Sequence, residues 1–126
     1  MIIVIPTHMR EENQKCYNTM PQFVKDMTVL AARSDRVAEL TKHNPSARII
    51  DLGDTDGIAD VRQRVVDFAK DEKVLIVDDS CVFMQRDADL KLSEITEEGW
   101  KDMLNMVETM LDQYPWVGIS DRGGNN

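Results

Sequence analysis

Residues 74–80 read VLIVDDS, four apolar residues running straight into two aspartates and a serine. An apolar run of four, bounded by charge and holding Val and Ile, is too short for a helix and reads as a buried strand. In open parallel sheets, ligands collect outside the carboxyl ends of the strands. Asp78, Asp79 and Ser80 therefore stand where a ligand is held. Carboxylate oxygens are hard donors that suit Mg²⁺ or Mn²⁺. Successive strand residues point to opposite faces. Asp78 and Asp79 thus meet on one ion only if the chain turns there, or if one of them acts through water.

Outward from this strand one unit repeats: an apolar run, a polar turn, a helical pattern. Residues 2–5, 28–32, 47–52 and 116–120 read as further strands, the first closed by Pro6. Residues 13–26 carry a helical pattern interrupted by Pro21. Ser34 is placed to cap a helix over 35–43, which Asn44-Pro45 ends. Residues 58–70 are amphipathic, with Ile58, Val61, Val65, Phe68 and Ala69 spaced by three and four. A longer helix starts at Thr96, carries Trp100, Leu104, Val107 and Leu111 in its apolar stripe, and stops at Tyr114-Pro115. Strands alternating with helices predict an α/β fold, a mostly parallel sheet of about five strands flanked by helices. The run 74–77 is expected inside that sheet, not at its edge.

The length of 126 residues suits one compact domain, and 42% hydrophobic with 30% charged residues sets disorder aside for most of the length. Fifteen basic against 23 acidic residues leave a net charge of -8, which argues against an unaided grip on a nucleic-acid backbone. Cys16 and Cys81 are too few and too far apart for a disulfide framework and read as thiols, Cys81 buried beside its strand. The N-terminal apolar run has four residues and no basic region before it, so neither a signal peptide nor a membrane span fits. A cytoplasmic protein is expected. Because DRGGNN trails off just after a predicted strand, the chain is expected to be the first part of something larger.

Four polar clusters fall at strand ends: Pro6-Thr7-His8 with Arg10, Asp51 with Asp54 and Asp56, Asp78-Asp79-Ser80, and Ser120-Asp121-Arg122. Arg62 and Arg64 are two apart and face different directions on a helix. Arg62 shares the arc of Ile58 and Ala69, near the sheet edge, and is the expected phosphate ligand; Arg64 is expected to be solvated. His43, ending a helix, reads as structural.

Two families write letters like VLIVDDS. In receiver domains of response regulators the motif opens the chain, whereas here three strands precede it, so that reading fails on position. Sugar-nucleotide glycosyltransferases of the GT-A type, Rossmann-like in fold, have the matching order. This chain has IIVIPTHMRE at its start and GIADVRQRVVDFAKDEKVLIVDDS in the middle, with 16 residues from Arg62 to Asp78. That block resembles the family's arginine followed by a DxD acid cluster. The segment VETMLDQYPWVGISDRGGNN resembles more narrowly the phage TET-associated glycosyltransferases, which modify hydroxymethylated bases in DNA.

The resemblance implies a nucleotide-diphosphate sugar as donor, bound by Pro6, Thr7, His8, Arg10, Arg62 and Asp78. It implies Mn²⁺ or Mg²⁺ on Asp78 and Asp79, with Asp54 and Asp56 as weaker candidates, and modified DNA as acceptor. The chain departs from the family pattern in two places. Ser80 replaces the third acid of the cluster, and Arg33 ends the second strand where many relatives carry an acid. The acceptor half, with the catalytic base of an inverting enzyme, is expected after Asn126, so no catalytic residue is assigned. The alternative is a non-catalytic nucleotide-binding module that works with a partner.

Overall fold

A computed structural model describes residues 1–119. The chain divides into two compact units, Met1–Ile95 and Thr96–Asn126.

In the first unit, strands β1 (Ile2–Pro6), β2 (Thr28–Ala32), β3 (Arg48–Asp51) and β4 (Val74–Ile76) form a parallel sheet in the order β3-β2-β1-β4. Helices α1 (Lys15–Thr19) and α2 (Gln22–Lys25) follow β1, a 3-10 turn (Ser34–Arg36) and α3 (Val37–His43) follow β2, and α4 (Gly57–Ala69) carries the chain from β3 back across the sheet to β4. The central pair holds the core. All of β2 is buried, and β1 is buried through Ile5. One face of the sheet presents Ile2, Val4, Val29 and Ala31 to Val65 and Ala69 of α4, with Val61 and Phe68 packed alongside. The opposite face carries Ile3, Ile5 and Leu30, each fully buried. A buried aliphatic side chain contributes about 2 kcal/mol, so β1 and β2 anchor the sheet, and the half-exposed β3 and β4 depend on pairing with them.

The first four strands stand where the sequence places them, to within a residue or two at the ends. Three expectations are corrected. Among the described residues β4 is an edge strand, paired with β1 alone, and residues 116–119 form no strand. Gly118 interrupts that apolar run, and a glycine inside a strand weakens it. Ser120, Asp121 and Arg122, with the end of that predicted strand, lie outside the described residues. Next, Ser34 caps no helix: its hydroxyl donates to Asp51 Oδ1 at 2.6 Å and clasps β2 to β3. Finally, the 13–26 pattern is two short helices, split at Met20-Pro21.

A two-stranded antiparallel ladder, β5 (Met84–Arg86) with β6 (Leu92–Glu94), follows the aspartates and was not anticipated. Its turn is closed by Asp87, whose Oδ1 accepts from the amides of Asp89 and Lys91, both at 2.9 Å. In the second unit, α5 (Glu97–Met110) starts as expected. Thr96 accepts from the Gly99 amide at 3.0 Å, Glu97 and Glu98 complement the helix dipole, and Trp100, Leu104 and Val107 are buried. No helix among the described residues is long and apolar enough to cross a membrane.

Candidate functional site

A cavity of about 370 Å³ opens at the carboxyl ends of all four parallel strands and the first turns of α4. It lies at the point where strand order reverses between β1 and β4, the usual ligand crevice of an open parallel sheet. Its lining is largely apolar: Ala31 and Ala32 from β2, Leu52 after β3, Ile76 from β4, Ile58 and Val61 from α4. Polar groups stand among them, with Thr7 and His8 after β1, Arg33 after β2, Arg62 on α4 and Asp78 after β4. Arg62 and Asp78 are both exposed, and no ion pair among the described residues engages either.

Of the residues singled out in the sequence, Pro6, Thr7, His8, Arg62 and Asp78 line this cavity. Asp79 and Arg10 do not. The alternation of the strand carries past its end, and Asp79 turns away from the cavity onto the β1 turn. Its Oδ2 accepts from the Thr7 hydroxyl at 2.8 Å, and its Oδ1 lies 3.9 Å from Arg10 Nη1. The Asp79 side chain is 12% exposed. Asp54 is occupied by Arg33 at 2.7 Å, and the Asp56 amide donates to Asp60 Oδ2 at 2.8 Å ahead of α4. Among the described residues no group of three or more His, Cys, Asp or Glu is arranged to hold a metal ion.

Arg64 is no solvated residue. Its guanidinium donates to the carbonyls of Leu52 at 2.8 Å and Asp54 at 3.0 Å and pairs with Asp60 at 3.1 Å, bracing the loop that forms one cavity wall. Gly53 is required there: its φ is +81°, and a Cβ would stand 2.6 Å from Arg64 Nη1. Hydrogen bonds from the Asp56 amide and Arg64 hold the Asp60 carboxyl below the usual range.

The turn after β1 is fixed from beneath. Glu11 is 4% exposed and hydrogen-bonded to Arg36; that bond outweighs burial and holds its carboxyl at about 2 instead of 4.5. Asn44 Nδ2 donates to the Glu11 carbonyl at 2.8 Å. Gln14, fully buried, donates from Nε2 to the Thr7 hydroxyl at 2.7 Å and to the Arg10 carbonyl at 2.9 Å. Cys81 is half-buried, less enclosed than expected, while Cys16 is fully buried and burial pushes its thiol up to about 12.

Sequence reasoning missed three contributors. Arg33 was noted only as a departure, yet it lines the cavity and is tethered to the Thr55 carbonyl at 2.6 Å. Ile58 was assigned to the helix's packed stripe, yet it is 68% exposed at the cavity. Gln14 gave no signal at all, since a glutamine four residues past Arg10 looks like any helix start.

Over residues 1–125 the chain matches the model of a protein family described as TET-Associated Glycosyltransferase. No curated protein matches it.

Proposed function

Because the chain belongs to the TET-associated glycosyltransferases, we propose that the cavity binds the nucleotide-diphosphate sugar from which a glycosyl group is transferred. One observation carries this reading: a largely apolar cavity at the strand-order reversal, with a guanidinium and a carboxylate at its rim. Its size is within the range of small-molecule sites, about 300–1,000 Å³. Apolar walls suit the faces of a nucleoside. Arg62 suits a phosphate oxygen, which it meets by charge-assisted hydrogen bonds. His8 suits the ribose and the first phosphate, and Thr7, whose hydroxyl proton goes to Asp79, shapes the wall beside it.

The donor set also fits a divalent cation of the kind that brings few protein ligands. Mg²⁺ is commonly held by one or two carboxylates together with substrate phosphates. Asp78 is the carboxylate facing the cavity, with Ser80 a neutral neighbour in the same turn. Asp78 would hold the Mn²⁺ or Mg²⁺ ion, whose contribution would be positive charge against the leaving diphosphate. Arg62 carries the rest of that charge. The acceptor we propose is the hydroxyl of a hydroxymethylated base in DNA. On a chain of net charge -8, Arg62 is the cavity guanidinium that no ion pair among the described residues engages, and it is where an anionic group finds a positive partner.

Titration calorimetry with nucleotide-diphosphate sugars, with and without Mn²⁺, tests the donor half. The expected result is Mn²⁺-dependent binding that Asp78→Asn abolishes and Arg62→Met weakens about tenfold, the scale of a lost charged hydrogen bond. Transfer of labelled sugar to DNA carrying hydroxymethylated bases tests the acceptor half. Absence of nucleotide binding in both conditions overturns the proposal. A second reading, a nucleotide-binding module without transfer activity of its own, is favoured by the cavity lining: among its described residues Asp78 is the one carboxylate, so that holding a cation there leaves no second acid to serve as a base. Binding without transfer supports it.

A further inference from the structure

Gln14, Thr7 and Asp79 form a hydrogen-bond chain whose direction is fixed. The Arg10 carbonyl, which also accepts from the Asn13 amide at 3.0 Å, can only accept, so the Gln14 amide nitrogen, not its oxygen, faces it at 2.9 Å. The same nitrogen donates to Thr7 Oγ1 at 2.7 Å. With its oxygen accepting from Gln14, Thr7 has one proton to give, and it goes to Asp79 Oδ2 at 2.8 Å. The Asp79 main chain is held as well, by the Cys16 amide donating to its carbonyl at 2.9 Å. The β1 turn, α1 and the turn after β4 are thus stitched through a single residue. Gln14 Oε1 is buried without a hydrogen-bond partner, a cost that native interiors usually avoid. The Gln14 amide nitrogen, with its two donated bonds, is what makes the side chain useful there.

Resting on the reading of the cavity as the donor site, we infer that Asp79 is a positioning residue and not a ligand-binding one: with Thr7 and Gln14 it locks the turn after β4 so that Asp78 alone presents its carboxylate to the cavity. One oxygen of Asp79 is given to Thr7 and the other faces Arg10, so its charge is directed inward to the scaffold. Asp78, one residue earlier and pointing the other way, inherits the ligand. Residues that orient a metal-binding group without touching the metal typically change affinity by about 10- to 100-fold when removed.

The test compares the parent with Asp78→Asn, Asp79→Asn, Asp79→Ala and Gln14→Leu. Two measurements are made: binding of adenosine, guanosine, cytidine and uridine diphosphates across an Mn²⁺ series, and hydrogen exchange at the Cys16 amide. Asparagine at 79 keeps an oxygen for Thr7. The expected result is that Asp79→Asn retains Mn²⁺-dependent binding and parent-like Cys16 exchange. Asp79→Ala and Gln14→Leu each weaken binding about tenfold and speed Cys16 exchange. Asp78→Asn loses the Mn²⁺ dependence with exchange unchanged. If Asp79→Asn loses Mn²⁺ dependence as Asp78→Asn does, Asp79 is a ligand and the inference falls. It falls equally if Cys16 exchange is the same in Gln14→Leu, Asp79→Ala and parent. Failure of the parent to bind any nucleoside diphosphate overturns the donor-site reading instead, and the exchange data still decide the lock.

Discussion

Replacing Glu11 by glutamine removes one charge from beneath the turn that carries Thr7, His8 and Arg10, and its cost is readable as a function of pH. The hydrogen bond from Arg36 lowers the Glu11 carboxyl from 4.5 to about 2. A lowered folded-state value means stability that is present above 4.5 and lost as pH falls towards 2. At 1.36 kcal/mol for each tenfold change, the full effect is about 3 kcal/mol. Arg36 is 30% exposed, and solvent there screens the pair, so about 2 kcal/mol is expected at pH 7. Urea unfolding of parent and Glu11→Gln at pH 7, 5, 4 and 3 measures it. The gap between them should hold from pH 7 to 5 and shrink to about 0.8 kcal/mol by pH 3. Other carboxylates titrate in both proteins and cancel in the difference. A gap that stays constant down to pH 3, or no gap at pH 7, refutes the assignment of Glu11 as the anchor of this turn.

Arg64→Met should destabilise by about 1–2 kcal/mol, because it leaves the Leu52 and Asp54 carbonyls without their donor, and it should weaken nucleotide binding through the loosened wall. Gly53→Ala should cost about 1–3 kcal/mol from its positive φ and the approach of Arg64; in a double-mutant cycle the two costs should add to less than their sum, and strict additivity would show that the two residues do not touch. With its thiol at about 12, Cys16 is thiolate in about one molecule in ten thousand at pH 8. Burial raises Cys81 too. Ellman's reagent should therefore label the native protein slowly and both thiols at once on adding guanidinium, and rapid native labelling of Cys16 would show its burial to be wrong.

What was legible in the sequence was what local chemistry determines. The apolar runs at β1, β2 and β4 are set by burial, and Thr96 with Glu97 and Glu98 announces α5 by capping and dipole alone. Pro6, Thr7, His8, Arg62 and Asp78 were traceable because strand ends in such a sheet share one crevice. The rest depends on distant partners. Nothing near Arg64 in sequence reveals that the Leu52 and Asp54 carbonyls await it. Ser34 looks like a cap, yet Asp51 on the neighbouring strand outcompetes the helix for its hydroxyl. The run at 116–119 has strand-forming residues but is broken by Gly118, and β5–β6 has a ladder but little apolar signal.

The position of β4 carries a consequence for how the protein acquires its site. Its pairing with β1, and the Thr7–Asp79 hydrogen bond, join residues 72 apart, whereas β1–β2 and β2–β3 close over far shorter loops. Contacts that close long loops pay their chain entropy late in folding. The three-strand portion can therefore assemble first, with one wall of the crevice absent, and Asp78 arrives only when β4 docks. A nucleotide that recognises the completed crevice binds the fully wound sheet and not its precursor. At a hundredfold excess over its dissociation constant it stabilises that state by about 2.7 kcal/mol. Docking of the last strand and ligand occupancy are then coupled, and the melting temperature of the chain becomes a readout of any ligand the completed crevice holds.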